Sequence, residues 1–214
     1  MSRPSAHLDR KLVDAARALL PRAGFSGLSV REVARRAGVN VGMFHYHFKT
    51  KDMFVERVLA ELYGDFLLSF QEAALGPGEA RLRLRNVLVA YAHFARRNRT
   101  LYSMMVRELL NGQPDMAKFA RAHFPRHMDA MMRLMTECRR EGVVRDLPSP
   151  VLCMFAMSTM GVPNILVTGL ERNLQKAVAG KPVKEFTDMI LSDEMIEIRA
   201  DMVLAALAAA RRRR

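Results

Sequence analysis

Residues Ser29–Lys51 read SVREVARRAGVNVGMFHYHFKTK, and the spacing inside this stretch decides the fold. Ser29 and Glu32 have the S-x-x-E arrangement, in which the serine hydroxyl accepts from the backbone N–H at Glu32 and the glutamate reaches back to the same turn. A helix therefore starts at Ser29. Val30, Val33, Ala34 and Ala37 fall at i, i+3, i+4 and i+7 and make one apolar face, leaving Arg31, Arg35 and Arg36 outward. Gly38 ends that helix, because glycine takes a positive φ without cost. Asn40 can cap a second helix, whose Phe44 and Phe48 lie four residues apart and bury against the first. Two short helices joined by a glycine-containing turn form a helix-turn-helix. Left outward on the second helix are Val41, Gly42, Met43, His45, Tyr46 and His47, with Lys51 just beyond.

Two histidines so close together raise the question of metal or catalysis. His45 and His47 are two residues apart, about 200° around a helix, too far to share one metal. No Asp or Glu nearby in the sequence orients either as a base, since Asp52 lies a turn or more beyond. His123 and His127 do have the four-residue spacing that puts two imidazoles on one face, but Pro125 lies between them and no third ligand is near. No metal or cofactor is expected.

The whole segment Ser29–Phe54 resembles the DNA-binding signature of the tetracycline-repressor (TetR) family, whose second helix commonly runs V-s-x-G-x-L-Y-x-H-F-x-x-K. Here the stretch is VNVGMFHYHFKTK, matching at Val39, Gly42, His47, Phe48 and Lys51. It departs at His45, where the family usually has tyrosine, and at Val41 and Met43, where polar base-contacting residues are frequent. The resemblance implies a ligand-responsive transcriptional regulator, most often a repressor. Such a protein binds double-stranded DNA as a homodimer at a pseudo-palindromic operator and is released by a small molecule. On that reading His45, Tyr46, His47 and Lys51 donate to phosphate oxygens, Asn40, Val41, Gly42 and Met43 face the major groove, and Ser29 and Arg31 are further contacts.

Charge points the same way. The chain of 214 residues carries a net +12, and the excess is segregated: residues 1–57 hold 11 Lys/Arg against 5 Asp/Glu, whereas residues 147–210 hold 5 against 7. A basic N-terminal quarter and a mildly acidic 147–210, followed by the Arg211–Arg214 tail, favour a polyanion-binding module at one end, here a DNA-binding domain over 1–57. The composition, 50% hydrophobic and 26% charged, suits a soluble globular protein. Two cysteines, Cys138 and Cys153, outside any metal-like spacing fit a reducing, cytoplasmic setting, and the first twenty residues lack the unbroken apolar run of a secretory signal. Leu147–Leu170 is uncharged for 24 residues, but Pro148, Pro150, Gly161, Pro163 and Asn164 interrupt it. A helix buried on all sides fits it better than a membrane span.

Elsewhere the periodicity is helical and no long stretch alternates, so the fold is all-α, with about nine helices. They are expected at 8–23, 29–37, 40–48, 50–75, 79–97, 101–110, 114–141, 150–168 and 193–210, with Pro125 kinking or splitting the seventh. Residues 171–192 are expected as a loop or a frayed short helix. The remainder, 58–214, is assigned to effector binding and dimerisation. Pocket candidates are Phe66, Tyr91, Phe94, Met105, Arg107, Phe124, His127, Met131, Met157 and Asn164, chosen from aromatics with polar tips and from methionines that adapt to irregular volumes in a core or around a ligand. The dimer interface is expected from the last two helices, at Phe155, Val162, Ile196, Val203, Ala206 and Leu207, as a four-helix packing. The competing reading is an all-α enzyme or small-molecule carrier with an incidental basic head. As an enzyme it needs a nucleophile beside a base, and Cys138 has only His127, nearly three turns back.

Overall fold

The computed structural model describes residues 4–174, 177–178 and 180–209. Among these, helix accounts for nearly every element: α1 (Pro4–Gly27), α2 (Val30–Ala37), α3 (Val41–Phe48), α4 (Lys51–Leu75), α5 (Ala80–Arg97), α6 (Arg99–Leu110), α7 (Pro114–Arg140), α8 (Ser149–Asn173), α9 (Val183–Ile190) and α10 (Asp193–Leu207). The exception is a two-stranded antiparallel ribbon, β1 (Ala177–Val178) on β2 (Lys181–Pro182). Residues 171–192 are thus not a loop. After α8 the chain folds into this ribbon and then α9, because Val183 and Thr187, one turn apart, are both buried. Thr187 also donates to the Glu171 carboxylate (3.0 Å), which takes the Arg99 guanidinium at 2.8 Å. Pro125 does not split α7, which runs unbroken from Pro114 to Arg140.

The chain divides into two units, the first made of residues 1–65 and 100–123 and the second of 66–99 and 124–214. The first unit is built around the aromatic corner that the 44/48 spacing anticipated. Phe54 of α4 packs edge to face on Phe44 and Phe48 of α3, which are tilted on each other, with ring centroids 4.7–5.6 Å apart. Leu12, Ala16, Leu20, Val33 and Ala34 close the core beneath them. Helix α1 bends at Gly24, whose φ of 67° and ψ of −176° break the helical ladder. A side chain there would meet the buried Glu108 carboxylate, since a Cβ would lie 2.8 Å from its Oε1.

In the second unit α5, α8 and α10 pack on one another. Leu84, Leu88, Ala92, Leu152, Ala156, Met160, Ile196, Val203 and Leu207 form the core. Arg85 of α5 ties α10 on the outside, donating from Nε to Asp201 at 2.7 Å and approaching Glu197 at 2.8 Å. Arg96 reaches the Leu191 carbonyl and Asp193, both at 2.6 Å. Helix α8 is long and apolar enough to cross a membrane by length and composition, yet it is not apolar because it is buried all round. One face is packed, through Leu152, Cys153, Ala156, Met160 and Asn164. The other is open, with Val151, Met154, Phe155, Val162 and Leu166 all exposed.

Candidate nucleic-acid interface

The recognition unit is held by side chains that cap rather than reach outward. Ser29 is the N-cap of α2 and accepts from the Glu32 N–H at 3.4 Å. Asn40 is the N-cap of α3, its Oδ1 accepting from the Gly42 N–H at 2.7 Å. These caps satisfy backbone donors that each helix start would otherwise leave open. Gly42 fits the arrangement, since a Cβ there would come within 3.3 Å of that same Asn40 oxygen. Between the helices, Gly38 takes φ 67° and its N–H donates back to Ala34 and Arg35, closing α2.

The surface so presented carries Arg31, Arg35 and Arg36 from α2 and Gly42, Met43, His45 and Tyr46 from α3, all exposed. Tyr46 is 79% exposed, and Val41 and Lys51 are half-buried. His47 is the correction. Its side chain is only 8% exposed, turned inward so that Nδ1 lies 2.7 Å from Asp9 Oδ1, and its Nε2 is buried without a hydrogen-bond partner. The reason is angular: with Phe44 and Phe48 inward, position 47 lies about 100° from position 48 and falls on the flank of α3 that meets α1. The carboxylate beside it, Asp9, was invisible to a search along the local sequence because it arrives from another helix.

A second feature the sequence did not signal is Lys49. It follows α3 directly and has a positive φ of 53°. Its N–H donates to the His45 carbonyl at 3.2 Å.

Of the ten effector candidates, five meet. Phe66 packs on Phe94 at 4.6 Å between centroids, on His127 at 5.6 Å and on Tyr91 at 6.0 Å, while Phe124 lies 5.5 Å from His127. Phe70, not among the ten, joins them at 5.2 Å from Phe66. Burial pushes the His127 imidazole down to about 4, so it stays neutral at pH 7. Met131 and Asn164 are fully buried in the second unit and Met157 is half-buried. Met105 and Arg107 belong to the first unit, where the Arg107 guanidinium lies 3.4 Å from Glu108. A small cleft lined by Asp52, Val55, Glu56, Leu59, Asp115, Lys118, Phe119 and Ala122 and a shallow groove at Met132–Arg140 include none of the ten. Cys138 is pushed up by burial to about 11. Raised thiol and lowered imidazole are both the wrong direction for a nucleophile and its base.

The dimer residues divide. Phe155, Val162 and Ala206 are exposed, but Ile196, Val203 and Leu207 are 1%, 1% and 4% exposed and belong to the core of a single chain. On α10 the exposed large apolar side chains are Ile198 and Met202. A helix with apolar residues on two faces offers no periodic signal to say which face turns inward.

Comparison with known proteins agrees with this geometry. Residues 12–58 match the family described as bacterial regulatory proteins, tetR family. Over 113 residues the chain is 32% identical to "Probable HTH-type transcriptional regulator YttP" of Bacillus subtilis (strain 168), a match covering 47% of this chain and 55% of that protein. The match thus spans about half of that relative's length. The fold is similar to that of the ketosteroid transcriptional regulator KstR2 of Mycobacterium tuberculosis, with a TM-score of 0.66 at 17% identity over 97% of each chain. It is also similar to the transcriptional regulator FadR from Bacillus subtilis in complex with stearoyl-CoA, with a TM-score of 0.66 at 16% identity over 87% of this chain and 96% of that one. At such identities the likeness is one of fold.

Proposed function

We propose, from the match of residues 12–58 to the family described as bacterial regulatory proteins, tetR family, that the chain is a ligand-responsive transcriptional regulator acting in the cytoplasm as a homodimer. The observation that carries this reading is the capped α2–α3 pair, with Tyr46 exposed on α3 and Arg31, Arg35 and Arg36 exposed on α2. Residues 1–57 form the DNA-binding domain, in which Arg31, Tyr46 and Lys51 address the backbone while Val41, Gly42 and Met43 approach base edges. Val41 and Met43 are apolar and therefore read thymine methyls. Ser29 and Asn40 act by holding the helix starts. The exposed α8 stripe, with Ile198 and Met202 of α10, supports pairing of two copies, because an apolar surface this continuous is unusual on a monomer. Two heads on a twofold axis then read two half-sites.

The effector site is assigned to the aromatic set Phe66, Tyr91, Phe94, Phe124 and His127, and the FadR and ketosteroid regulators, whose names state an acyl-CoA complex and a steroid link, support an apolar ligand. Repression relieved by that ligand is the mode this reading favours. The test is selection of duplexes from a random library by the full-length protein. An enriched inverted repeat is the expected outcome, and a library that stays random after repeated rounds sinks the proposal.

A further inference from the structure

Among the described residues Lys49 alone has a positive φ without being glycine, at φ 53° and ψ −56°. Across it the Thr50 N–H donates to the Phe48 carbonyl two residues back. This is the γ-turn of the rare, strained hand, which a side chain at its centre resists. It lies at a decisive place. Phe48 before it is the last residue of α3, and Thr50 after it starts α4, its Oγ1 accepting from the Met53 N–H at 3.2 Å. Lys51 is the first residue of α4. The Lys49 dihedrals therefore set the direction in which α4 leaves α3, and with it the offset between Tyr46 on one helix and Lys51 on the other.

Something must hold such a turn. The Lys49 N–H donates to the His45 carbonyl, and the His45 ring folds back along the same turn so that its Nδ1 lies 3.4 Å from the Lys49 carbonyl oxygen. A carbonyl can only accept, so the contact exists when Nδ1 carries a proton, as one neutral tautomer and the imidazolium both do. Backbone and side chain of His45 together thus grip both polar groups of the strained residue.

We propose that His45 is a positioning residue for DNA binding: its imidazole straps the Lys49 γ-turn and so fixes Tyr46 and Lys51 in register with one another. The inference rests on the DNA-binding reading above. It differs from the role expected at this position, a side chain that itself donates to phosphate. A direct donor cannot be replaced by relaxing the backbone four residues away. A strap can, because glycine adopts the Lys49 conformation without strain.

The experiment uses four full-length proteins: wild type, His45→Phe, Lys49→Gly and the double variant, on the duplex enriched by wild type. His45→Phe should bind about 5-fold more weakly, the equivalent of one net hydrogen bond. Its salt dependence should flatten as Lys51 loses its phosphate. Adding Lys49→Gly should restore both affinity and salt slope to within about 2-fold of Lys49→Gly alone. Failure of that rescue, or an affinity unchanged in His45→Phe, overturns the proposal, the first outcome making His45 a direct contact. Thermal midpoints of the same four proteins test the strap without DNA. His45→Phe should lower the midpoint when Lys49 is present and leave it unmoved beside Lys49→Gly, and equal losses in both backgrounds also overturn it. If wild type enriches no duplex, the DNA-binding reading fails while the midpoints still judge the strap.

Discussion

The α2–α3 pair and the α8–α10 pair are both apolar helix pairs, and they treat their apolar residues in opposite ways. In α2–α3 the large inward residues, Val33, Phe44 and Phe48, are buried, and the opposite surface is charged or polar apart from half-buried Val41 and exposed Gly42 and Met43. In α8–α10 the residues in the core, among them Ile196 and Val203, are matched by exposed ones of the same chemistry, among them Met154, Leu166 and Met202. The difference teaches that an apolar side chain marks a surface to be covered and leaves open what covers it. One-sided helices are covered within the chain, and two-sided helices keep an apolar face that the single chain does not cover.

The largest effect separates these faces directly. Val203→Asp places a carboxylate at a site 1% exposed, and should cost more than about 4 kcal/mol and abolish cooperative unfolding. Leu166→Glu, on the exposed face of α8, should leave the fold intact by circular dichroism and shift the protein from dimer to monomer in sedimentation velocity. A Leu166→Glu variant that stays dimeric would remove the α8 stripe from the interface.

Next in size is the proton linkage of the second unit's core. His127 is held neutral down to about 4 by burial, whereas in the unfolded chain it takes its proton near 6.5. The unfolded state therefore binds more protons between these values. Stability is present in full above about pH 6.5 and falls as pH drops toward 4, by up to about 3 kcal/mol. Urea unfolding of wild type and His127→Phe at pH 7.5 and 4.5 measures this. The variant should lose less on acidification, and equal losses would show that His127 is not the group responsible.

Ligand response comes third. Once a binding compound is found, Tyr91→Ala or Phe94→Ala should keep wild-type duplex affinity and lose the ligand-induced weakening, a coupling of about 1–3 kcal/mol. A folded, dimeric variant that instead fails to bind DNA would move these residues from effector site to core.

The smallest effects lie in the recognition unit. Lys51→Ala should lower affinity about equally on all sequences and reduce the salt slope by roughly one. Tyr46→Phe should act in the same direction by about 1 kcal/mol. Changed sequence preference in either would turn a backbone contact into base readout.

The recognition unit was legible because its signals are local. Ser29 with Glu32, Asn40 with Gly42, Gly38 at its turn and Phe44 with Phe48 all act within a few residues of one another, so spacing alone declares them. His47 escaped because Asp9 approaches it through the packing of α1 on α3. Lys49 escaped for the opposite reason: its conformation is strained, and nothing in a lysine announces a positive φ. The aromatic set was half legible. Five of the ten candidates meet because aromatics at helical spacing are drawn together by burial, while Met105 and Arg107 were chosen by chemistry and fell in the first unit. In residues 171–192 the short helix was anticipated as an alternative to a loop, but the ribbon and the tie that holds α9, from Thr187 to Glu171 16 residues away, were not.

By itself, then, the sequence determined an all-α chain, a capped helix-turn-helix over Ser29–Phe48 and a basic N-terminal quarter, because propensity, capping and charge act over one or two turns. Only the tertiary structure decided which faces of α8 and α10 turn inward, that His47 meets Asp9 and that His127 is half-buried among aromatic rings. Each of these depends on which distant residues come to occupy the neighbouring volume, and burial is a property of that volume and not of the residue.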